Sequence, residues 1–379
     1  MDFLRNVNGK LLRCGYTTGA CAAAAAKAAG VMLLSGTALE RVSVTTPKGV
    51  TLTLDVLDIR LGGNAASCAI RKDSGDDPDV TNGMLVYARV EKTPQGIRID
   101  GGEGVGRVTK PGLDQPVGAA AINSTPRKMM EAELWAAAAM HGYSGGFSAV
   151  ISIPGGEALA QKTFNPRMGI EGGLSVIGTT GIVEPMSHQA IADTVRLALR
   201  QLAASGTRAL LLAPGNYGEA FAGGSLGLAA DTCVACSNGI GDAVDAAVSL
   251  GFTQILLVGH IGKLVKLGIG AANTHSAFVD GRMETLLACA LAAGAGLSLL
   301  QDIMQSVTTD AALALLWEAG LLEKAMGELG RRIGAFLTRR VPEHVTIGFV
   351  CFTNAEPMRG VLTQSANAGG LMENWRGKA

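Results

Sequence analysis

Three observations predict an α/β chain in two domains. In the second half, apolar runs at 209–213, 254–258 and 345–352 alternate with helical patterns, the signature of a parallel sheet covered on both faces. The first half instead carries an alanine-rich helix, short alternating strands and glycine-rich turns, an α+β pattern. Between them lies an irregular segment rich in glycine and proline, residues 154–187, and a loop that long is usually functional or a linker. The expected organisation is an α+β domain over 1–170 with glycine-rich hairpins, then a Rossmann-like domain over 171–379 with a mostly parallel sheet.

Composition narrows the function. The 379 residues suffice for two domains or one large one, and 48% are apolar. Lys+Arg and Asp+Glu both number 32, which removes the bulk electrostatic argument for a nucleic-acid or membrane-surface protein. The 52 glycines sit in turns between periodic segments, indicating close backbone approaches more than disorder. Seven dispersed cysteines, an odd number, are expected to be reduced and buried. Cys233-Val-Ala-Cys236 is a lone C-x-x-C without a second pair at zinc-ribbon spacing. The opening residues lack a long apolar stretch, and the run at 286–300 is interrupted by glycine and short of the ~20 residues of a span. A soluble, cytoplasmic protein is expected.

In chain order, Gly15-Tyr16-Thr17-Thr18-Gly19-Ala20-Cys21 leads into an alanine block, a strong helix former that Thr17 or Thr18 can cap. Such a helix end attracts anions and would lower the pKa of Cys21; the alternative is a capped, closely packed helix. Residues 42–46 and 50–56 around Pro47-Lys48-Gly49 read as a β-hairpin. Aspartates 73, 76, 77 and 79 suit a hard cation, a proton acceptor such as Asp76 or Asp77, or merely a solvated turn. Asp100-Gly101-Gly102-Glu103-Gly104-Val105-Gly106 resembles a methyltransferase nucleotide loop, but Pro111 and Gly112 oppose the helix it needs, so a glycine-rich hairpin is preferred. Helix and strand follow at 127–140 and 149–153.

The segment 174–177 reads as a buried strand opening into Gly178-Thr179-Thr180-Gly181, then a helix from Ser187 with Ile191, Val195, Ala198 and Leu202 at helical spacing. Further helices are expected at 219–228, 241–250, 276–291, 310–318 and 321–338. In a parallel sheet ligands collect at the carboxyl ends of strands, here Gly178–Gly181, Pro214-Gly215-Asn216, Gly259-His260 and Thr353-Asn354. Gly262-Lys263 fails a Walker reading because Leu257 and Leu264 occupy its Gly and Ser/Thr positions. What remains is a cluster of His260, Lys263, Lys266, Asn273, Thr274, His275, Ser276, Asp280, Arg282 and Glu284, suited to acid–base work, anion binding or helix capping, without zinc-motif spacing.

GYTTGACAAAA (15–25), KDSGDDPDVTNG (72–83), GGEGVGRVTKPGL (101–113), KTFNPRMGIEGGLSVIGTTGIVEPMS (162–187) and GHIGKLVKLGIGAANTHS (259–276) resemble the cobalamin biosynthesis protein CbiD family, the cobalt-precorrin-5B C1-methyltransferases. The blocks are long, collinear and spread over most of the chain. The resemblance implies methyl transfer from S-adenosylmethionine to carbon 1 of a cobalt-containing tetrapyrrole, with cobalt only as part of the substrate and no protein metal site. The glycine turns at Gly102, Gly104, Gly106, Gly178, Thr179, Thr180, Gly181, Gly215 and Asn216 would hold the donor. Thr17, Thr18, Lys72, Arg107, Lys110, Lys162, Arg167, Lys263, Lys266 and Arg282 would meet the substrate's carboxylates. His260, His275, Asp76 or Asp77 would move protons. The preferred placement is the donor at Gly178–Gly181 with substrate carboxylates near Lys162 and Arg167. The implied partner is a small tetrapyrrole, without nucleic acid or membrane; homo-oligomerisation stays open. The competing class is a non-catalytic tetrapyrrole carrier.

Overall fold

The alanine block becomes the helix Thr18–Ser35, which organises the first part of a computed structural model describing residues 3–7, 9–163, 165–166, 168–229 and 233–376. The chain divides into two compact units, Met1–Ser187 and His188–Ala379. Ala20 through Ala26 are wholly buried, so this helix is apolar all round, as a central core helix must be. Its methyl side chains admit the helix Ser124–Met140 and the strands Ala65–Arg71 and Leu85–Thr93 at close range. Gly30 shows how close: a Cβ there would lie 2.8 Å from Leu134 Cδ2. By length and composition the helix is apolar enough to cross a membrane, yet 78% of it is buried inside the protein.

The first unit's main sheet runs, in space, Leu57–Gly62, Ala65–Arg71, Leu85–Thr93, Gly146–Ser152 and Ile97–Gly101. Its pairs are antiparallel except the last, Gly146–Ser152 with Ile97–Gly101, which is parallel. The expected hairpin forms from Arg41–Thr45 and Thr51–Asp55, their buried and exposed residues alternating. Around the glycine-rich segment no helix follows Gly106, but the preferred hairpin does not form either. Ile97–Gly101 pairs with Gly146–Ser152, while Arg107–Val108 pairs with Ile170–Glu171.

The expectation that 174–177 opens the parallel sheet is corrected. Leu174 bridges to Val105 and Val176 to Ile122, both in the first unit. Gly178–Gly181 then leads into a strand, Ile182–Val183, antiparallel to Gly15–Tyr16. These pairings hold the segment to the first unit, so the division falls at Ser187/His188 rather than at 170/171.

In the second unit the apolar runs form one sheet, ordered Cys233–Ala235, Ala209–Ala213, Gln254–His260, Thr346–Thr353 and Gly360–Gln364. The first four strands are parallel and the last is an antiparallel edge. Both faces are covered. Leu210, Leu212, Ile255 and Leu257 join a core with Val195, Val244 and Leu329. Leu211, Leu256 and Val258 join Phe221, Leu371 and Trp375 on the opposite face. This alternation explains why the strands read as unbroken apolar runs. The helix expected from 276 begins at Arg282, because Gly281 turns the chain into the left-handed region at φ 56° immediately before it.

Ala24 sits at 0% exposure. Replacing it with Leu is expected to lower stability by roughly 1–3 kcal/mol, since the added volume has no space. Urea unfolding compared with wild type measures the loss.

Candidate active site

The two strands that follow Ala209–Ala213 in the chain pair on opposite sides of it, Cys233–Ala235 on one side and Gln254–His260 on the other. In an open parallel sheet this places a crevice at the carboxyl ends of those strands. The chain leaves Ala213 through Gly215, held at φ 106°, before the helix Asn216–Gly224. Lys263 follows from the next strand, in the short helix Ile261–Leu264. A Cβ built on Gly215 would lie 3.5 Å from Lys263 Nζ. Lys263 Nζ donates to the Ser237 carbonyl at 3.4 Å, beyond the end of the edge strand. One ammonium thus stands over three strand ends.

Beside it is a cavity of about 280 Å³, lined by Asn238, Gly262, Lys263, Lys266, Thr274, His275, Ser276 and Arg282. Lys266, on the 3₁₀ turn Val265–Ile269, is 2% exposed and donates to the Thr274 carbonyl, Ser276 Oγ and the Val279 carbonyl, each at 3.1 Å. Its ammonium therefore stitches the 274–279 segment into place. Arg282 makes a forked pair with Asp280 at 2.5 and 2.9 Å. That hydrogen bonding outweighs burial and, with the charges of Arg282 and Lys266, holds the Asp280 carboxyl below its ordinary range. Burial pushes the Lys263 ammonium below its ordinary value; the neighbouring Cys236 opposes this, and the positive charge of Lys266 adds to it. His275 lines the cavity, with Nδ1 accepting from the Ala277 amide at 3.1 Å. His260 stands behind it: Nδ1 accepts from the Gly262 amide at 3.1 Å and the ring meets Phe352 edge-on. Burial lowers the His260 pKa, with Asp310 pulling the other way.

Of the residues expected to act together, the structure gathers His275, Lys263, Lys266 and Arg282 around one cavity, with Gly215 at its approach. Asn238 and Ser237 are not among the site residues expected from sequence; the Asn238-Gly239 turn dipeptide is the signal there.

In the first unit the expected site residues are placed as follows. Lys72, 3% exposed, donates to Ser74 Oγ and Thr81 Oγ1 at 2.7 Å and pairs with Asp79. Burial raises the Asp79 pKa, but the charge and hydrogen bond of Lys72, with hydrogen bonds from Thr81, bring it below the ordinary value. Asp76 accepts from the Arg13 amide at 2.6 Å, and Asp77 from the Met186 amide at 3.2 Å. Arg107 pairs with Asp100 at 2.7 Å and donates to the Gly101 carbonyl at 2.9 Å. Lys162 is exposed, and Arg167 lies outside the described residues.

The glycines there stand where a neighbouring part of the chain leaves no room for a side chain. A Cβ on Gly104, itself at φ 70°, would fall 1.9 Å from the Ile153 carbonyl oxygen; on Gly102 it would fall 2.5 Å from Ser152 Oγ, and on Gly106 2.5 Å from Ile170 Cγ2. On Gly178 it would fall 2.2 Å from Thr17 Oγ1, and on Gly181 2.6 Å from Thr46 Cβ. Thr179 lies between them, and Thr180 Oγ1 donates to the Ile182 carbonyl within the turn. The strand–turn–helix geometry that motivated a donor at Gly178–Gly181 is therefore absent. Thr17 caps the long helix by accepting from the Ala20 amide at 3.2 Å, and Thr18 is buried. Burial pushes the Cys21 thiol up to about 12, reversing the lowering expected of a helix N-terminus. Burial likewise pushes Cys233 and Cys236 up to about 12, and both are free thiols. Among the described residues no group of three His, Cys, Asp or Glu side chains is arranged to hold a metal.

Fold and site define a two-unit, mixed α/β protein with a cavity lined by three cations beside the carboxyl ends of a parallel sheet. Residues 5–185 match the CbiD family and residues 273–361 match its C-terminal domain. A Ruminiclostridium cellulolyticum protein named cobalt-precorrin-5B C(1)-methyltransferase is 47% identical over 347 residues, covering 92% of this chain and 90% of its own. One of the same name from Alkaliphilus metalliredigens is 42% identical over 367 residues, covering 97% and 96%. A crystal structure of a cobalamin biosynthesis protein from Archaeoglobus fulgidus is 28% identical, covering 74% of this chain and 87% of its own, with a TM-score of 0.40. The chain belongs to the CbiD family.

Lys72 distinguishes folding from ligand binding. Lys72→Met leaves Asp79 half-buried without its cation, and breaking a buried pair costs roughly 3–5 kcal/mol. Chemical denaturation is expected to show a loss approaching that size, while the folded variant keeps its affinity for tetrapyrrole in a binding titration.

Proposed function

We propose that this protein is an S-adenosylmethionine-dependent methyltransferase that acts on carbon 1 of cobalt-precorrin-5B to give cobalt-precorrin-6A. The observation that carries this reading is identity of 47% with a cobalt-precorrin-5B C(1)-methyltransferase across nine-tenths of both chains. S-adenosylmethionine supplies an electrophilic sulfonium methyl, and cobalt belongs to the substrate. The residue chemistry fits. Four parallel strands covered on both faces support a Rossmann-like second unit, and its carboxyl edge offers Gly215 and Asn216 to the donor. Gly215 fits that role better than Gly102, Gly104, Gly106, Gly178 or Gly181: a side chain there would meet only the flexible tip of Lys263, whereas one on any of those five would run into the first unit's own atoms.

Methyl transfer to carbon asks a protein mainly to align two reactants and exclude water. The cavity's cations suit a substrate ringed with acetates and propionates, and His275 is assigned to proton movement. Seven free cysteines support a reducing, cytoplasmic setting.

Incubating the protein with cobalt-precorrin-5B and S-adenosylmethionine tests the reading by mass spectrometry. The expected outcome is S-adenosylhomocysteine in equal amount to a singly methylated tetrapyrrole. Tetrapyrrole binding with the donor unconsumed would make the protein a carrier instead.

A further inference from the structure

Three cations line the cavity of the second unit, and among the described residues they are not equally engaged. Arg282 is neutralised by Asp280 at 2.5 Å, and the same carboxylate stands 3.7 Å from Lys266. Lys266 completes its shell with three neutral oxygens. Lys263 has one long contact, to the Ser237 carbonyl at 3.4 Å, and no carboxylate pairs with it. The lining thus presents three positive charges, answered by the one carboxylate of Asp280 beside it, in a chain whose formal net charge is zero. A half-buried ammonium beside a second cation is a poor arrangement for folding alone, because burial and like-charge repulsion both work against it. An anion entering the cavity relieves both.

The volume says how much of a ligand enters. About 280 Å³ lies just below the roughly 300–1,000 Å³ range of small-molecule pockets, so it holds one arm of a ligand and not a tetrapyrrole ring. Asn238 and Ser276 place an amide and a hydroxyl in the same lining, groups that complete the hydrogen bonds of a carboxylate.

We propose that this cavity is a carboxylate subsite in which Lys263 is the ligand-facing cation and Lys266 is a positioning residue that fixes the 274–279 wall. The proposal rests on the methyltransferase reading, in which both reactants carry carboxylates: the amino-acid end of the donor and the acetate and propionate arms of the tetrapyrrole. The shared chemistry is a carboxylate, and the test separates its two sources.

Calorimetric binding of S-adenosylhomocysteine, and separately of uroporphyrin III as a tetrapyrrole with acetate and propionate arms, is compared for wild type, Lys263→Met and Lys263→Arg. Thermal unfolding checks that each variant is folded, and Lys263→Gln, which keeps a hydrogen-bonding head, carries the same comparison with less change in polarity. Loss of one charge-assisted hydrogen bond is expected to weaken one of the two ligands by about 10- to 100-fold in Lys263→Met, with most of that recovered in Lys263→Arg. A loss confined to S-adenosylhomocysteine identifies the donor's carboxylate, and a loss confined to uroporphyrin identifies the macrocycle's rim. If folded Lys263→Met and Lys263→Gln bind both ligands as tightly as wild type, the subsite is overturned. Wild-type protein that methylates its substrate while these variants keep full affinity overturns the subsite alone. Wild-type protein that binds uroporphyrin through Lys263 but never consumes the donor overturns the methyltransferase reading and leaves the subsite standing.

Discussion

Taking a lysine ammonium out of water requires acceptors to replace its hydration, and each unit of this protein shapes a loop around that requirement. In the first unit Lys72 gathers Ser74, Asp79 and Thr81, which closes the acidic segment upon itself. In the second, Lys266 gathers Thr274, Ser276 and Val279, which builds one wall of the cavity. The two lysines differ in what they enclose. Lys72 is answered by a carboxylate within its own loop, so its charge is closed off. Lys266 is answered mostly by neutral oxygens, so part of its field reaches the cavity and adds to that of Lys263.

Glycine obeys a parallel logic. The glycines at 102, 104 and 106 and at 178 and 181 are each filled by a neighbouring part of the chain, and they let strands and turns approach more closely than any side chain permits. Gly215 differs, since a Cβ there would lie at an ordinary contact distance of 3.5 Å from the end of Lys263, where the other five would fall within 2.6 Å of a neighbour. A glycine-rich segment therefore has two meanings, room for the chain and room for a ligand, and the space left beside the glycine separates them.

The same distinction sets what was legible in the sequence. Strands buried on both faces announced themselves, because Ala209-Leu210-Leu211-Leu212-Ala213 has no polar position to interrupt it. The alanine helix and the hairpin at 41–55 were equally plain. The strand Ala65–Arg71 was not, because small residues carry weak strand preference, although Val86, Ala88 and Val90 in its neighbour do alternate. The turn at Gly178–Gly181 looked like a ligand loop because its partners, Thr17 and Thr46, are more than a hundred residues away in sequence. For the site, the residue types in 259–284 were readable, but their engagement was not. Lys263 and Lys266 look alike in sequence, and only the fold makes one a structural pin and leaves the other facing a cavity.

Contacts within the fold account for Lys72, Asp76, Asp77 and Arg107 and for the glycines at 102–106, 178 and 181 in the first unit, while the proposed ligand chemistry lies at the sheet edge of the second. A crystal structure with S-adenosylhomocysteine tests this placement most directly. The account predicts density at the carboxyl edge of the parallel sheet, against Gly215 and Asn216. Density against Gly102–Gly106 or Gly178–Gly181 would contradict it.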